Sequence, residues 1–271
     1  MSVIVLDYPV EPKPRFGSTY GLPDHPELTE LFRQREEVYA QTLESFEACR
    51  SELGKIRQTP ERDRQQPHWD NGWLQGLDAV ALYALVATGN PAVYLEVGSG
   101  NSTKFVRRAI RDHGLRTRIV SIDPTPRVEV DALCDELIRA PLEGADLTVF
   151  ARLGAGDICF IDNSHRSFQN SDATVVFLEV LPRLAAGVLV GLHDILLPED
   201  YPPEWSNRWY SEQYLLASYL LGGGRRSDVV LPSSYVSRTE RFAGLLDNLF
   251  RAPLPAGIQR TGSAFWFSSA D

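Results

Sequence analysis

Apolar segments alternate with helical segments through the middle of this chain, and that alternation limits the folds it can adopt. Five strand candidates lie at residues 92–97, 118–122, 136–140, 157–162 and 187–193. The helical stretches between them lie near 102–113, 127–134, 146–151 and 172–184. Strands that are joined through helices pair in parallel by right-handed crossovers. The sequence therefore predicts an α/β protein with a doubly wound, mostly parallel sheet.

The segment after residue 198 departs from this rhythm. RSDVVLPSSYV at 226–236 and SAFWFSS at 263–269 are two more strand candidates, and a short helix, ERFAGLLDNLF, lies between them. A long hairpin of this kind predicts an antiparallel pair that closes the sheet. We expect the insertions at 198–215 and 233–262 to act as lid or substrate elements.

An N-terminal segment precedes the alternating region. Four prolines among the first 23 residues predict an extended arm. Asp24 with Glu27 three positions later is a helix-start signature, and apolar residues then recur at helical spacing as far as Ile56. We expect one long helix here, packed against the main domain or in a dimer contact. TPERDRQQP at 59–67 has the composition of a linker.

Size and charge exclude several classes of function. The 271 residues fit one Rossmann-like domain over 68–271 with an arm and helix over 1–67. Lysines and arginines number 27 against 36 acids, and a net charge of −9 repels a nucleic-acid backbone. No apolar run suits a membrane helix, and residues 1–10 lack a signal pattern, so we expect a cytoplasmic protein without nucleic-acid or membrane partners. The three scattered cysteines fit reduced structural thiols.

The stretch AVYLEVGSGNSTKF at 92–105 predicts a ligand site, because it joins a strand to a helix through a glycine turn. Gly98 and Gly100 let a ligand approach the backbone at the end of the first strand. A dinucleotide site would have a third glycine where this chain has Thr103. The acid Glu96 would repel a diphosphate and attract the positive charges of S-adenosylmethionine. We therefore expect Glu96 to face the cleft and to favour S-adenosylmethionine.

Polar residues also follow three other predicted strands. Asp123 in SIDP ends the second strand, where a carboxylate can bind the ribose hydroxyls of adenosine. FIDNSH places Asp162 and His165 after the fourth strand, and GVLVGLHDI places His193 and Asp194 after the fifth. Because parallel strands end at one edge of a sheet, these side chains are expected to converge.

The four motifs together resemble class I S-adenosylmethionine-dependent methyltransferases. LEVGSGNS is similar to the first motif of that family, SIDP to its ribose-binding acid, FIDNSH to its fourth-strand motif and LPRLAAGVLVGLHDI to its segment of proline, glycine and strand. The resemblance covers about residues 75–200 and implies a seven-stranded sheet with an antiparallel closing strand. It implies cofactor binding by Glu96, Gly98, Ser99, Gly100, Ser102, Asp123 and Asp162. HDI departs from the D-N or D-D pair of catechol-type members, so their magnesium site is not carried over.

The resemblance implies methyl transfer, and we expect a small-molecule acceptor that is methylated at oxygen. The enzyme must hold the acceptor in line with the methyl group, and a hydroxyl also needs a base. His193 and His165 are candidates, because a histidine pKa of about 6.5 suits that role, although either can instead be structural. Asp162 completes the predicted catalytic set. Asp162, His193 and Asp194 could alternatively hold a divalent cation.

Aromatic residues after the fifth strand predict a lid over the acceptor, among them Trp205, Trp209 and Tyr210. Two other functions stay open at this point. One is a non-catalytic cofactor-binding module of the same fold, and the other is an NAD-dependent oxidoreductase. No motif identifies the methyl acceptor or the oligomeric state, and a homodimer is one possibility.

Overall fold

The computed structural model describes residues 7, 8, 10–223 and 229–270. The first part of the predicted arm, residues 1–6 and 9, lies outside the described residues, and so does the beginning of the candidate strand at 226–236. The arm over residues 10–23 has no regular structure except a single 3₁₀ turn at Ser18–Tyr20. The polar segment 59–67 is also irregular, as its composition predicts.

Seven strands form one sheet in the order β3-β2-β1-β4-β5-β7-β6. β1, β2, β3, β4 and β5 pair in parallel, while β7 lies antiparallel to both β5 and β6. The predicted doubly wound sheet with an antiparallel closing strand is therefore confirmed. The strands are β1 (Val93–Val97), β2 (Arg118–Ile122), β3 (Glu136–Ile138), β4 (Ile158–Ile161), β5 (Leu189–Leu192), β6 (Val229–Pro232) and β7 (Phe265–Ser268).

The strand order reverses between β1 and β4, which places the ligand crevice beyond their carboxyl ends. All four residues of β4 are buried, and so is β1 from Tyr94 onward. Central strands that are covered on both faces consist of continuous apolar runs, as VYLEV and ICFI do apart from Glu96. Glu96 is the exception, and hydroxyl groups of Tyr94, Ser102 and Thr103 pair with its buried carboxylate.

Helices flank the sheet. No helix of the described residues is both long and apolar enough to cross a bilayer. The α-helices are α1 (Pro26–Arg33), α2 (Glu36–Phe46), α3 (Arg50–Leu53), α4 (Gly76–Gly89), α5 (Asn101–His113), α6 (Asp172–Val175), α7 (Glu212–Leu221), α8 (Ser233–Arg238) and α9 (Ala243–Leu249).

The prediction of one long N-terminal helix is wrong, because α1, α2 and α3 are separate pieces. α1 begins at Pro26, whose fixed φ suits a first helical position, and its N-cap is His25. Asp24 does not cap it, because the Asp24 carboxylate accepts a hydrogen bond from the Ser18 amide at 2.7 Å. The predicted packing against the main domain is confirmed, since α2 contacts α4, α9 and β6. The proposed boundary at residue 67 stays a prediction.

Three predicted crossover helices are shorter than their sequences suggest. Residues 127–134 contain only a 3₁₀ turn at Asp131–Leu133, and residues 146–151 form the 3₁₀ segment Leu147–Arg152. The helix expected over 172–184 begins as α6, widens into a π-turn at Val176–Val180 and ends in a 3₁₀ turn. That last turn contains Pro182, whose missing amide hydrogen ends the helical ladder.

The prediction of a strand over 226–236 is wrong in its second half. β6 ends at Pro232, and Ser233–Arg238 forms α8 instead. Proline cannot donate a ladder hydrogen bond, so the strand stops there. The Ser233 amide donates to the Ala264 carbonyl at 2.9 Å, which holds the beginning of α8 against the residue that precedes β7.

Candidate functional site

A cavity of about 300 Å³ lies at the carboxyl edge of the sheet, between the ends of β1, β2, β4 and β5. We call it the cofactor cavity. Six of the predicted site residues line it: Gly98, Ser99, Asp123, Asp162, His165 and His193. The structure therefore brings together side chains that are up to 95 positions apart in the chain, 193 − 98 = 95. Glu96, Gly100 and Ser102 are not among the lining residues.

Gly98 is required at the β1 turn by its backbone and by its neighbour. Its φ of +80° is a conformation that side chains rarely allow, and a Cβ atom there would lie 1.9 Å from the Asp162 carbonyl oxygen. The Gly98 amide donates to the Ile122 carbonyl at 2.9 Å. The turn is therefore in direct contact with the ends of β2 and β4, which brings Asp162 beside the glycine turn.

The expectation that Glu96 offers a free carboxylate to the cleft is wrong. Its side chain is fully buried behind the turn. The Glu96 carboxylate accepts hydrogen bonds from Tyr94 Oη at 3.1 Å, from Ser102 Oγ at 3.0 Å and from Thr103 Oγ1. A buried carboxylate needs such partners, and the first turn of α5 supplies two of them. Its role as a direct partner of the cofactor stays a prediction.

The surroundings of Glu96 also change its charge. Burial raises the pKa of Glu96 to about 7, and the hydrogen bonds from Thr103, Ser102 and Tyr94 limit that rise. The acid therefore titrates near neutral pH, where an exposed glutamate is ionised. Glu96 stabilises the beginning of α5, and the fixed negative charge that faces the cavity must come from another residue.

The amides of the glycine turn already have partners. The Ser99 amide donates to Asp123 Oδ2 at 2.8 Å, and the Gly100 amide donates to Thr103 Oγ1 at 3.0 Å. A diphosphate would require free amides at the beginning of α5. Asp123, which also accepts the Thr125 amide at 2.7 Å, adds a negative charge beside them. This turn is consequently unfavourable for a dinucleotide and compatible with a cationic nucleoside.

Asp162 is the acid that faces the cofactor cavity. Its side chain is 40% exposed, whereas the rings of His165 and His193 lie buried next to it. Asp162 Oδ1 lies 3.3 Å from His165 Nε2 and 3.4 Å from His193 Nδ1. Both imidazoles therefore face one carboxylate oxygen. The predicted catalytic trio is one contiguous cluster in the structure.

The two histidines are held in their charged form. Burial lowers the pKa of His165, but Asp162 and Glu212 outweigh burial and raise it to about 10. Burial likewise lowers the pKa of His193, yet Asp162 and Asp194 raise it well above its usual value. A general base must begin unprotonated, so an imidazolium at neutral pH does not suit the base role predicted for either histidine. The catalytic assignment of the trio itself stays a prediction.

Burial acts to raise the pKa of Asp162, but the neighbouring imidazoles of His193 and His165 overcome burial and hold that pKa far below its usual range. Asp162 is therefore ionised at every pH at which the protein would work. Unlike Glu96, it can present a permanent negative charge to a ligand.

Two acids that complete this cluster were missed in the sequence. Glu212, in the first turn of α7, accepts from Asn163 Nδ2 at 2.9 Å and lies 2.9 Å from His165 Nδ1. Asp78, in the first turn of α4, lies 3.5 Å from His193 Nε2 and accepts the amides of Ser263 and Ala264 at 2.7 and 2.9 Å. Neither acid stands in a recognisable motif. Only the tertiary fold brings them to the histidines.

Backbone strain is concentrated at this edge. Among the described residues that are not glycine, five have positive φ, and two of them line the cofactor cavity: His165 at +58° and Asp194 at +53°. Such conformations cost roughly 1–3 kcal/mol and persist where the surroundings impose them. The Asn163 side chain accepts the His165 amide at 2.7 Å, which holds the first of them. Strain of this kind is typical of functional sites.

The cofactor cavity is lined by five carboxylates, from Asp123, Glu143, Asp162, Asp172 and Asp194, and by two arginines and two histidines. Because both histidines are held in their charged form, the lining has a net charge of only −1, 4 − 5 = −1, and the partly exposed Asp162 is the group that favours a sulfonium or an ammonium. Among residues 7, 8, 10–223 and 229–270, no group of three or more histidines, cysteines or acids could hold a metal ion. The residues present therefore fit S-adenosylmethionine, with Asp123 for the ribose and the edge from Gly98 to Asp162 for the charged end.

An exposed tryptophan borders the same cavity. Trp73 is 62% exposed, and the Arg127 guanidinium lies 4.6 Å from its ring centroid. Trp69, four residues earlier, instead packs against Phe105 in the core at 5.4 Å. Trp73 and Arg127 thus line the cofactor cavity although neither belongs to a recognised motif.

A family model matches the part of the chain that contains these strand ends. Residues 95–195 match the model of a protein family described as a methyltransferase domain. No curated protein matches the chain. Among solved structures, the chain is similar to the S-adenosylhomocysteine-bound methyltransferase PaMTH1 of Podospora anserina, at 19% identity and a TM-score of 0.37, over 53% of this chain and 67% of that one. It is also similar to the plantazolicin methyltransferase BpumL in complex with S-adenosylhomocysteine, at 12% identity and a TM-score of 0.41, over 85% of this chain and 98% of that one.

The sheet order and the glycine turn against Asp162 accompany the family match, which assigns residues 95–195 to a methyltransferase domain. The matched segment runs from the end of β1 to the residues just after β5, so it contains Asp123, Asp162, His165 and His193. The arm, the lid and α4 lie outside it.

Proposed function

We propose that this methyltransferase acts on a small molecule and transfers the methyl group to oxygen. The observation that supports the proposal most directly is the position of Asp162, a partly exposed carboxylate in a small cavity beside the lid. S-adenosylmethionine supplies the methyl group from its sulfonium, whose carbon–sulfur bond breaks as the acceptor oxygen forms the new bond to carbon.

Asp162 would orient the acceptor hydroxyl. A hydroxyl donates its hydrogen bond to the carboxylate and keeps a lone pair free for attack. As the oxygen attacks, its proton leaves to solvent water, because a carboxylate with so low a pKa orients the hydroxyl without retaining its proton. His165 and His193 hold that carboxylate in place from two sides at 3.3 and 3.4 Å. We assign the two histidines as positioning residues in this scheme, because their surroundings favour the imidazolium.

The charge of Asp162 favours oxygen over nitrogen as the acceptor atom. An ionised carboxylate stabilises a neighbouring ammonium group and raises the pKa of that group. A protonated amine has no lone pair to offer, so such a neighbour would hold an amine acceptor in its unreactive form. A hydroxyl is neutral and is not blocked in this way.

Calorimetry with S-adenosylmethionine and S-adenosylhomocysteine tests the cofactor half of the proposal. Asp162→Asn should weaken S-adenosylmethionine binding by about 10- to 100-fold, the scale of a lost partner for a charged group. The affinity for S-adenosylhomocysteine should fall less, because its sulfur is neutral. The control is Asp131→Asn, an exposed acid outside the cavity. An equal loss for both ligands would show that Asp162 does not act through its charge.

The choice of oxygen is tested with a matched pair of probes. Methyl transfer from radiolabelled cofactor to 2-phenylethanol should exceed transfer to 2-phenylethylamine, which has the same shape with an amine, protonated at neutral pH, in place of the hydroxyl. Preferential transfer to the amine would contradict the proposal. Binding of the cofactor product without transfer to any acceptor in a broad panel would favour a non-catalytic binding module instead.

A further inference from the structure

A second and larger cavity lies on the other side of the lid. Its volume is about 650 Å³, and it is bounded by the arm at residues 10–16 on one side and by residues 197–217 on the other. We call it the arm–lid cavity. Pockets that bind small molecules are usually about 300 to 1,000 Å³ in volume. The arm–lid cavity is therefore large enough for a ligand of its own.

The arm is fixed in place by two buried acids of the lid. Glu199 is 2% exposed and accepts the Thr19 amide at 2.9 Å and the Thr19 hydroxyl at 2.7 Å. Asp200 is 6% exposed, accepts the Arg15 amide at 3.0 Å and donates its own amide to the Phe16 carbonyl at 3.1 Å. Arg238 Nη1 pairs with Glu199 as well. The arm is thus a built wall of the cavity, and its acids are already paired.

The lining of the arm–lid cavity is aromatic. Tyr201 stacks on Trp205 with ring centroids 6.0 Å apart, and it meets Tyr214 edge to face at 5.9 Å. Nine large apolar side chains are exposed in the described structure, and four of them line this one cavity: Val10, Phe168, Trp209 and Tyr214. Exposed apolar side chains that cluster in a concave site indicate a ligand groove. Flat rings with few free charges suit an uncharged aromatic ligand.

Tyr210 lies between this cavity and the cofactor cavity, because it lines both. Its ring centroid lies 4.6 Å from that of His165. The guanidinium of Arg166 lies 5.5 Å from the Tyr210 ring, and that of Arg208 lies 5.6 Å from it. Arg208 also lines the cofactor cavity. A ligand that extends past Tyr210 would therefore reach the edge where Asp162 is exposed.

We propose that the arm–lid cavity binds the body of the methyl acceptor, that this acceptor is an uncharged aromatic compound of at least two rings, and that the arm selects it. The inference rests on the proposed function, since it gives a position to the acceptor of that reaction. The volume sets the number of rings, the stacked tyrosine and tryptophan set their chemistry, and the shared Tyr210 directs one end of the compound to Asp162.

Equilibrium dialysis of 2-naphthol and 7-hydroxycoumarin against the full chain, with S-adenosylhomocysteine present, tests this inference. Both probes should bind the unmodified protein. Ala217→Trp fills the cavity from α7 and should weaken probe binding at least tenfold without changing the affinity for S-adenosylhomocysteine. The matched control is Ala40→Trp, another partly buried helical alanine that lines neither cavity.

A second variant keeps the test decisive if Ala217→Trp does not fold. Phe168→Ala removes a ring that is 44% exposed and should weaken probe binding by about three- to tenfold, the scale of one aromatic contact. Leu178→Ala, 74% exposed and outside both cavities, should have no effect.

Three outcomes would overturn the inference. In the first, neither probe binds to a protein that does bind S-adenosylhomocysteine. In the second, both cavity variants bind the probes as well as the unmodified protein does. In the third, sedimentation shows that the unmodified protein is a dimer and that Phe168→Ala is a monomer. The last would show that a second copy covers the cavity. Failure to bind S-adenosylhomocysteine would instead contradict the proposed function, so the two failures are distinguishable.

Discussion

The two cavities of this protein are built by different means. The cofactor cavity is formed by the ends of neighbouring parallel strands, and its turns are held by backbone contacts such as the approach of Gly98 to the Asp162 carbonyl. The arm–lid cavity is formed by segments 180 or more residues apart, which side-chain carboxylates hold together, as Glu199 holds Thr19. The cofactor cavity depends on the close packing of the sheet, so one added atom that does not fit should disrupt it. The arm–lid cavity depends on separate hydrogen bonds, so the loss of any one of them should destabilise it only in part.

The largest effect is expected on the strand-built side. Gly98→Ala places a Cβ atom 1.9 Å from a backbone oxygen at a φ of +80°, so either β1 or β4 must move. Urea denaturation should show a loss of roughly 3–5 kcal/mol, the range of severe backbone misfits, and calorimetry should show no binding of S-adenosylhomocysteine. Gly89→Ala, with no atom within 4 Å of the added carbon, serves as the control. Equal stability of the two variants would contradict the close approach.

A pH-dependent effect of nearly the same size is expected at Glu96. Its pKa is raised from 4.5 to about 7 by burial, so between those values the unfolded chain releases a proton that the folded protein retains. Stability should therefore fall as the pH rises from about 4.5 to about 7 and then stay level, by about 3 kcal/mol in total.

Glu96→Gln should remove that dependence. Urea denaturation should show that the free energy of unfolding of the unmodified protein falls between pH 5 and pH 8, while that of Glu96→Gln does not, because an amide does not ionise. Glu143→Gln, at an exposed acid, should show the same fall as the unmodified protein. Parallel pH profiles for Glu96→Gln and the unmodified protein would mean that the buried acid is not protonated on folding.

A smaller effect is expected where the two sides meet. Glu212→Gln removes the charge that faces His165 Nδ1 at 2.9 Å and should cost about 1–3 kcal/mol of stability. The pKa of His165, raised to about 10 by Asp162 and Glu212 against the effect of burial, should fall in an NMR titration. The control is Glu204→Gln, at an exposed acid of the lid, which should leave the pKa of His165 unchanged. An unaltered His165 titration in Glu212→Gln would contradict the pairing.

The smallest effect is expected on the side that hydrogen bonds assemble. Asp200→Asn weakens the contacts with the Arg15 amide and the Tyr214 hydroxyl and should cost about 1 kcal/mol. Trypsin should cleave after Arg15 sooner in the variant, while the affinity for S-adenosylhomocysteine stays the same. Asp7→Asn, an exposed acid of the arm, is the control. Altered cofactor affinity would show that the two cavities are more tightly coupled than their construction suggests.

The same contrast explains what the sequence could predict. The sheet and the positions of Gly98, Asp123, Asp162 and His193 at one edge follow from the periodicity of apolar runs and from the polar residues that end them. These are local signals. The direction of a side chain is not local, and Glu96 could not be placed correctly, because two of its three hydroxyl partners, Ser102 and Thr103, become neighbours only when α5 packs against β1.

The residues that were missed share a physical reason. Glu212 lies 47 positions from His165, and Asp78 lies 115 positions from His193, 193 − 78 = 115, so no spacing rule connects them. The arm–lid cavity depends on contacts of the same kind. Helix length was overestimated at 127–134 and at the N-terminal segment because apolar spacing does not register short turns, such as the one that separates α1 from α2.

The antiparallel strand has a consequence for the order of assembly. β7 separates β5 from β6 in space although it follows both in the chain, so β5 has an unpaired edge until Phe265–Ser268 docks. The amides just before β7, at Ser263 and Ala264, are also those that hold the Asp78 carboxylate opposite His193. A nascent chain that has completed all the recognised motifs therefore still lacks a finished charge cluster. The charge cluster is complete only when the closing strand pairs with β5, which ties the completion of the cluster to the completion of the sheet.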